Sequence, residues 1–196
     1  CSSDLVTGTV NQWLVGQLKI AQDRISNGLD GYRFNEAAND AYHFVWGTFC
    51  DWYVEFSKPV LQGPDGPAKE EAQATAAWAL DAILRLLHPF MPFVTEELWA
   101  RTSQRDEMLV RAAWPEYGDE LANEAAAAEM DWVIRLVSEI RSVRAEMNVP
   151  PGAHIPLLLS GASAETMARL ERQKDLITTL ARISDTGEQS GDLPSG

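Results

Sequence analysis

Along residues 34–56 apolar side chains step by three and four, at Phe34, Ala38, Ala41, Val45, Phe49, Trp52 and Phe56. That spacing stripes one face of an α-helix. A second set, Ala37, Tyr42, Trp46 and Tyr53, widens the stripe over most of the circumference. Only a narrow polar strip is left, formed by Glu36, Asn39, Asp40, His43, Asp51 and Glu55. A helix so nearly apolar all round needs partners on several sides, which predicts the central, most buried rod of a helix bundle. Trp46, Trp52 and Tyr53 are then core, and Cys50 among them is a small buried hydrophobe.

The rest of the chain supplies the partners. Val10, Trp13, Leu14, Leu18, Ala21 and Ile25 repeat at helical spacing. This first helix is expected to start near Ser3 or Asp4 and to end at Gly28 and Gly31. The short connection over residues 29–33 makes it an antiparallel neighbour of the second helix, which should stop before Pro59. LQGPDGPAKEE is a loop, and Pro67 suits the first position of a third helix carrying Glu70 and Glu71 at its positive end. That helix runs through Trp78, Ala79, Ile83, Leu86 and Leu87 to His88, where the corner HPFMPF follows. Thr95 with Glu96 and Glu97 then opens a short helix holding Leu98 and Trp99.

Residues 101–118 look irregular, with MLVRAAWP a strap over the bundle. A fourth helix over about residues 123–147 would bury Met130, Val133, Ile134, Val137, Ile140 and Met147, ending before Pro150-Pro151-Gly152. Beyond it, residues 155–159 read as a strand and residues 164–183 as a helix. One strand and one helix make no stable sheet, and the Gly-, Ser- and Asp-rich end reads as disordered. The expected architecture is all-α: an antiparallel helix bundle over residues 1–150, then the start of a small truncated α/β module over residues 151–196.

Composition narrows the chemistry. The 196 residues are 45% hydrophobic with seven tryptophans, which is globular. No apolar run approaches the length of a membrane span and no signal peptide opens the chain. Cys1 and Cys50 have no CxxC or His neighbours, so a reduced, cytoplasmic setting follows. The net charge of −13 opposes nucleic-acid binding taken at face value, and any such role must rest on a local patch or on parts of a longer protein. A start without Met that runs into helical periodicity almost at once reads as an excised domain.

No nucleophile–base pair, glycine-rich phosphate cradle or metal-ligand cluster is visible, so no catalytic or metal-binding residue is assigned and the fragment itself calls for no cofactor. His88 reads as a helix-end residue, and His43 and His154 have no second ligand near in sequence. Asp51 and Lys58 are expected to pair with other bundle residues. Arg135, Arg141 and Arg144 on the fourth helix are open to three readings, a salt-bridge cluster first, then a solvated face, then a phosphate contact.

Three strings, FCDWYVEFSKPVL, HPFMPFVTEELW and IRSVRAEMNVPPG, occur here in this order. Together they resemble the anticodon-binding region of valyl-tRNA synthetases, and the resemblance covers essentially the whole chain to about Ile183. The HIGH and KMSKS strings of that synthetase class are missing, as is any basic tail. The resemblance therefore implies a fragment, inactive alone, that works with catalytic and editing domains of the same chain. It also implies valine tRNA as partner, a monomeric state, and ATP and magnesium as requirements of the parent.

Single-stranded loops are read by stacking bases on aromatic or guanidinium planes and by hydrogen bonds to base edges. The hairpin between the first two helices offers Arg24, Arg33 and Phe34, with Gln17 and Asn35 as amide readers. In the family, as the resemblance implies, an arginine of the first helix and a ring at the start of the second meet the anticodon. Phe34 matches the ring by position, although its place on the apolar stripe also fits a core role. Gln17 stands where relatives often carry Arg, which leaves Arg24 or Arg33 to substitute. Lys58, at the far end of the second helix, is the fallback contact. A helical scaffold that binds a partner protein through an aromatic groove, with no RNA role, is the competing reading.

Overall fold

The computed structural model describes residues 6–188. The chain forms two compact units, Cys1–Ala127 and Ala128–Gly196, with the division falling inside one helix. The first unit is helical. Its elements are α1 (Thr9–Asp30), α2 (Phe34–Tyr42), a π-helix (His43–Tyr53), α3 (Val54–Gln62), α4 (Pro67–Leu87), α5 (Pro92–Thr102) and the first turn of α6 (Glu124–Glu146). Two 3₁₀ turns, Leu109–Arg111 and Asp119–Leu121, lie in the strap between α5 and α6.

Helix α1 begins later than the sequence suggests, with Gly8 as its N-cap; Ser3 and Asp4 lie outside the described residues. Its start is held from α4. Glu71 accepts hydrogen bonds from the Thr7 hydroxyl (2.6 Å), the Gly8 N–H (2.8 Å) and the Asn11 amide (2.8 Å). Of these donors the Gly8 N–H is one of the main-chain groups that a helix start leaves orphaned, and the two side chains fix the carboxylate over it. Gly28 does not end α1, as expected from sequence, but lies within its last turn. There a Cβ would come 2.9 Å from Ala37 Cβ. Its lack of a side chain is what lets α1 and α2 approach so closely.

The apolar rod over residues 34–56 is not the most buried element. Helices α1 and α4 are, with Trp13, Leu14, Leu18, Ile25, Ala79, Ile83, Leu84 and Leu86 all hidden. The rod buries Ala37, Ala41, Phe44, Tyr53 and Phe56, while Trp46 is 54% exposed and Trp52 and Cys50 are half-buried. The π-helix explains the difference. A turn closed by i→i+5 bonds holds more residues than the 3.6 of an α-turn, so a stripe extrapolated at 3.6 drifts out of phase. Phe44 and Tyr53, nine apart, face inward together, and Trp46 rotates out. The helix also continues past Pro59 to Gln62. Pro59 has the φ a helix needs, but inside the helix it lacks the N–H donor and its ring crowds the Glu55 carbonyl, a cost of about 3 kcal/mol that the rest of the fold offsets. Lys58 pairs with Glu55 of its own helix.

Pro67 occupies the first turn of α4 as expected. Helix α5 starts at Pro92, three residues before Thr95. The strap is tied down at several points. Glu96 accepts the Leu109 and Val110 N–H groups (2.7 and 3.2 Å), and Leu109 packs with Leu84 and Trp99. Arg105 forks onto Asp81 and stacks over Trp99 with its guanidinium carbon 3.7 Å from the ring centre. Trp114 donates to Ser26 Oγ at 2.8 Å.

In the second unit α6 is followed by β1 (Ile155–Leu159), α7 (Ala164–Arg172), α8 (Lys174–Ala181) and β2 (Ile183–Glu188). The strands pair in parallel, with Ile155 opposite Ile183 and Leu157 opposite Thr186. The single helix expected over residues 164–183 breaks at Gln173. Residues 184–188, expected to be disordered, instead form the pairing strand, and residues 189–196 lie outside the described set. Parallel strands need a crossover, and the α7–α8 pair provides it. Within α6 Met130, Val133 and Val137 are buried, whereas Met147 is exposed beyond the helix end. The arginines do not form the expected salt-bridge cluster. Arg141 donates to the Leu180 carbonyl, Arg144 donates to the carbonyls of Pro150 and Ala153, and Arg135 is exposed. The ion-pair cluster sits instead on Glu129, which receives Arg172, Gln173 and Arg169.

Candidate nucleic-acid interface

The hairpin between α1 and α2 is built by the way α1 stops. The Arg33 N–H donates to Gly28 O (2.7 Å) and the Tyr32 N–H donates to Leu29 O (3.0 Å). This is the pair of reversed bonds that closes a helix with a left-handed residue after its cap. That residue is Tyr32, at φ 57°, where glycine is usual. A side chain in this conformation costs about 1–2 kcal/mol. Its ring is 82% exposed and meets Phe34 edge to face, 6.1 Å between centres.

Phe34, the first residue of α2, is 56% exposed. The core role allowed by the apolar stripe is therefore not the one it takes. Beside it Arg33 Nε donates to Glu36 Oε2 at 2.8 Å and Nη2 donates to Asn27 O at 3.3 Å, which holds the guanidinium across the tip. Asn35 is exposed next to both. Two rings, a guanidinium and an amide thus share one exposed turn.

Gln17 and Arg24 lie elsewhere on the same helix pair. With Ile20 and Ala21 of α1, Asp40 of α2, and His43, Phe44 and Thr48 of the π-helix they line a cleft of about 90 Å³. Arg24 sits six residues, about 9 Å of helix, before the end of α1. Lys58 joins neither group; it lies beyond the π-helix in α3.

Sequence reasoning passed over three features of this surface. Tyr32 is one, marked only by its place after Gly31. The row Phe34, Ala38, Tyr42, Trp46, spaced by four, is another; Tyr42 and Trp46 are 56% and 54% exposed. The third is the HPFMPF corner. Phe90 packs with Ile25, Ala37, Ala41 and Leu86, so the corner abuts the hairpin, and Phe93 at its end is 91% exposed. The corner is pinned by Thr95, whose hydroxyl donates to Met91 O (2.8 Å) and meets His88 Nδ1 at 2.8 Å. His88 thereby helps pin the corner.

Exposed ring faces with adjacent amide and guanidinium groups suit base stacking and edge recognition. They supply no nucleophile with a base beside it. Among the described residues there is no group of three or more His, Cys, Asp or Glu that could hold a metal ion. Nor is any helix among them long and apolar enough to cross a membrane.

Comparison with known proteins gives a consistent picture. The family described as "Anticodon-binding domain of tRNA ligase" matches residues 11–159. A valine–tRNA ligase of Caulobacter vibrioides is 48% identical over 95% of this chain and 21% of its own length. That of Mesorhizobium japonicum is 51% identical over 90% of this chain and 19% of its own. A third, from Rhizobium meliloti, is 49% identical over 96% of this chain and 20% of its own. The chain thus spans about a fifth of the length of these relatives.

Proposed function

Because the chain belongs to the anticodon-binding domain family of tRNA ligases, we propose that it is the anticodon-gripping module of a valine–tRNA ligase. The observation that carries this reading is the exposure of Phe34 beside Arg33 and Tyr32 at one hairpin tip. A ring that could have been core, kept in solvent next to a held guanidinium, is what a base-stacking platform requires. Asn35 reads a base edge, and Arg24 and Gln17 meet the loop further down the α1–α2 pair. The parent, on this reading a monomeric cytoplasmic enzyme, joins valine to its tRNA with ATP and magnesium. That chemistry belongs to the rest of the parent chain, and no step of it runs through the residues here. The module holds the anticodon stem-loop so that the acceptor end reaches the distant catalytic domain.

Binding of the intact ligase to valine tRNA tests this. Phe34→Ala and Arg33→Ala should each weaken binding by about 1–3 kcal/mol, the value of one stacked base, with the melting temperature unchanged. A tRNA with a swapped anticodon should bind more weakly through lost base-edge contacts, while Phe34→Ala should weaken it further, because a base of any identity offers a face to stack. Parent-like binding by both variants would put the anticodon site elsewhere. The salt response separates RNA from an apolar protein partner, since phosphate contacts weaken steeply with salt and hydrophobic burial does not.

A further inference from the structure

Resting on the anticodon-face reading, we propose that Tyr42, His43 and Trp46 form a second stacking platform for an unpaired base of the same RNA loop. Large rings on a helix are normally buried, since their burial is a main source of core stability. Here two consecutive members of the Phe34, Ala38, Tyr42, Trp46 row are more than half exposed. They meet edge to face at 6.5 Å, and Tyr42 meets His43 in the same way at 5.7 Å. An edge-to-face contact covers one face of one ring only, and the exposure of Tyr42 and Trp46 leaves other faces open, which is what a base needs.

The surroundings select the occupant. His43 is also a wall of the cleft that holds Gln17, Arg24, Asp40 and Thr48. An amide, a guanidinium, a carboxylate and a hydroxyl thus lie beside the rings, with donors and acceptors of both kinds for a base edge. An apolar protein partner would leave these polar groups buried without matched partners. Position agrees with this. Phe34 and Tyr42 are eight residues apart on α2, about 12 Å along its axis, with the small Ala38 keeping the ridge low between them. A strand that stacks on Phe34 at the hairpin tip and follows the ridge next meets Tyr42. The two platforms are one continuous track.

The test uses the intact ligase with a seventeen-nucleotide stem-loop RNA carrying the valine anticodon, and the same stem closed by a stable tetraloop. Trp46→Ala and Tyr42→Ala should each weaken stem-loop binding by about tenfold to a hundredfold with no change in melting temperature. Trp46→Phe and Tyr42→Phe, which keep a ring, should recover most of it. A 5-bromouridine in the loop should crosslink to Tyr42 or Trp46 under ultraviolet light. Equal losses on the stem-loop and the tetraloop hairpin would mean a contact to the stem, and would overturn the proposal. Unchanged affinity in both alanine variants would overturn it as well. Phe34→Ala is measured in parallel. If it weakens binding while the Tyr42 and Trp46 variants do not, only the second platform is lost. If none of the three does, the anticodon-face reading falls with it.

Discussion

Tyr32 shows how one residue can be spent on exposure at a conformational cost. It stands at the left-handed position after the cap of α1, where most chains place glycine. Tyr32→Gly should therefore raise stability, by about 1 kcal/mol once the greater freedom of glycine in the unfolded chain is counted. Thermal melting would read this directly. The same change removes the most exposed ring of the tip, so RNA affinity should fall while the melting temperature rises. A variant that gains stability and keeps its affinity would show that the ring plays no part in binding. Strain kept at an exposed aromatic residue is the kind of local departure that marks functional positions.

Two features decide how α1 and the rod present that tip. Gly28 sets the approach of the helices, since a Cβ on it would lie 2.9 Å from Ala37 Cβ and 3.2 Å from its Cα. Overpacking of this kind costs about 1–3 kcal/mol. The better helix propensity of alanine returns about 1 kcal/mol. Gly28→Ala should still lower the urea midpoint, by a net loss of about 1 kcal/mol. Gly47→Ala is the control, because nothing lies within 4 Å of a Cβ there and it should be neutral or stabilising. The second feature is the π-helix, a rare conformation often found at functional sites. By shifting phase it turns Tyr53 inward together with Phe44 and leaves Trp46 to solvent.

At the scale of the whole molecule, a net charge of −13 makes stability sensitive to how carboxylates are held. Burial pushes the Glu71 carboxyl up, but bonds from Asn11, Thr7 and Gly8 outweigh it and hold the group below its ordinary value of 4.5. A depressed carboxylate stabilises the folded state above the unfolded pKa, and the benefit is lost as pH falls through the folded one. The parent should therefore lose stability more steeply than Glu71→Gln between about pH 5 and 3, starting from a higher value at pH 7. Melting temperatures across that range check it, and parallel curves would mean the contact is too weak to matter. The acidic balance also bears on function. With 29 acidic against 16 basic residues, any phosphate contact on the proposed reading has to come from local basic side chains rather than from the overall charge.

Local patterning was enough to make this a helical protein with a short hairpin connection over residues 29–33, a helix start at Pro67, a strap at MLVRAAWP and a strand at residues 155–159. Each of these depends on signals a few residues apart: period, proline, glycine. The family resemblance was equally legible, carried by three strings that packing does not alter. What no local signal could supply was phase and pairing. The π-helix, which no residue of the rod announces, moved Trp46 from core to surface. Phe34 stands in solvent at the first position of α2, which its place on the apolar stripe does not reveal. Residues 183–188 are too polar to read as a strand alone, and became one by pairing with β1 thirty residues away. Arg141 reaches the Leu180 carbonyl, and Arg144 found the carbonyls of Pro150 and Ala153 because the chain folds back beneath it. Period and punctuation are written in neighbouring residues, whereas burial belongs to whichever surfaces the tertiary fold brings into contact.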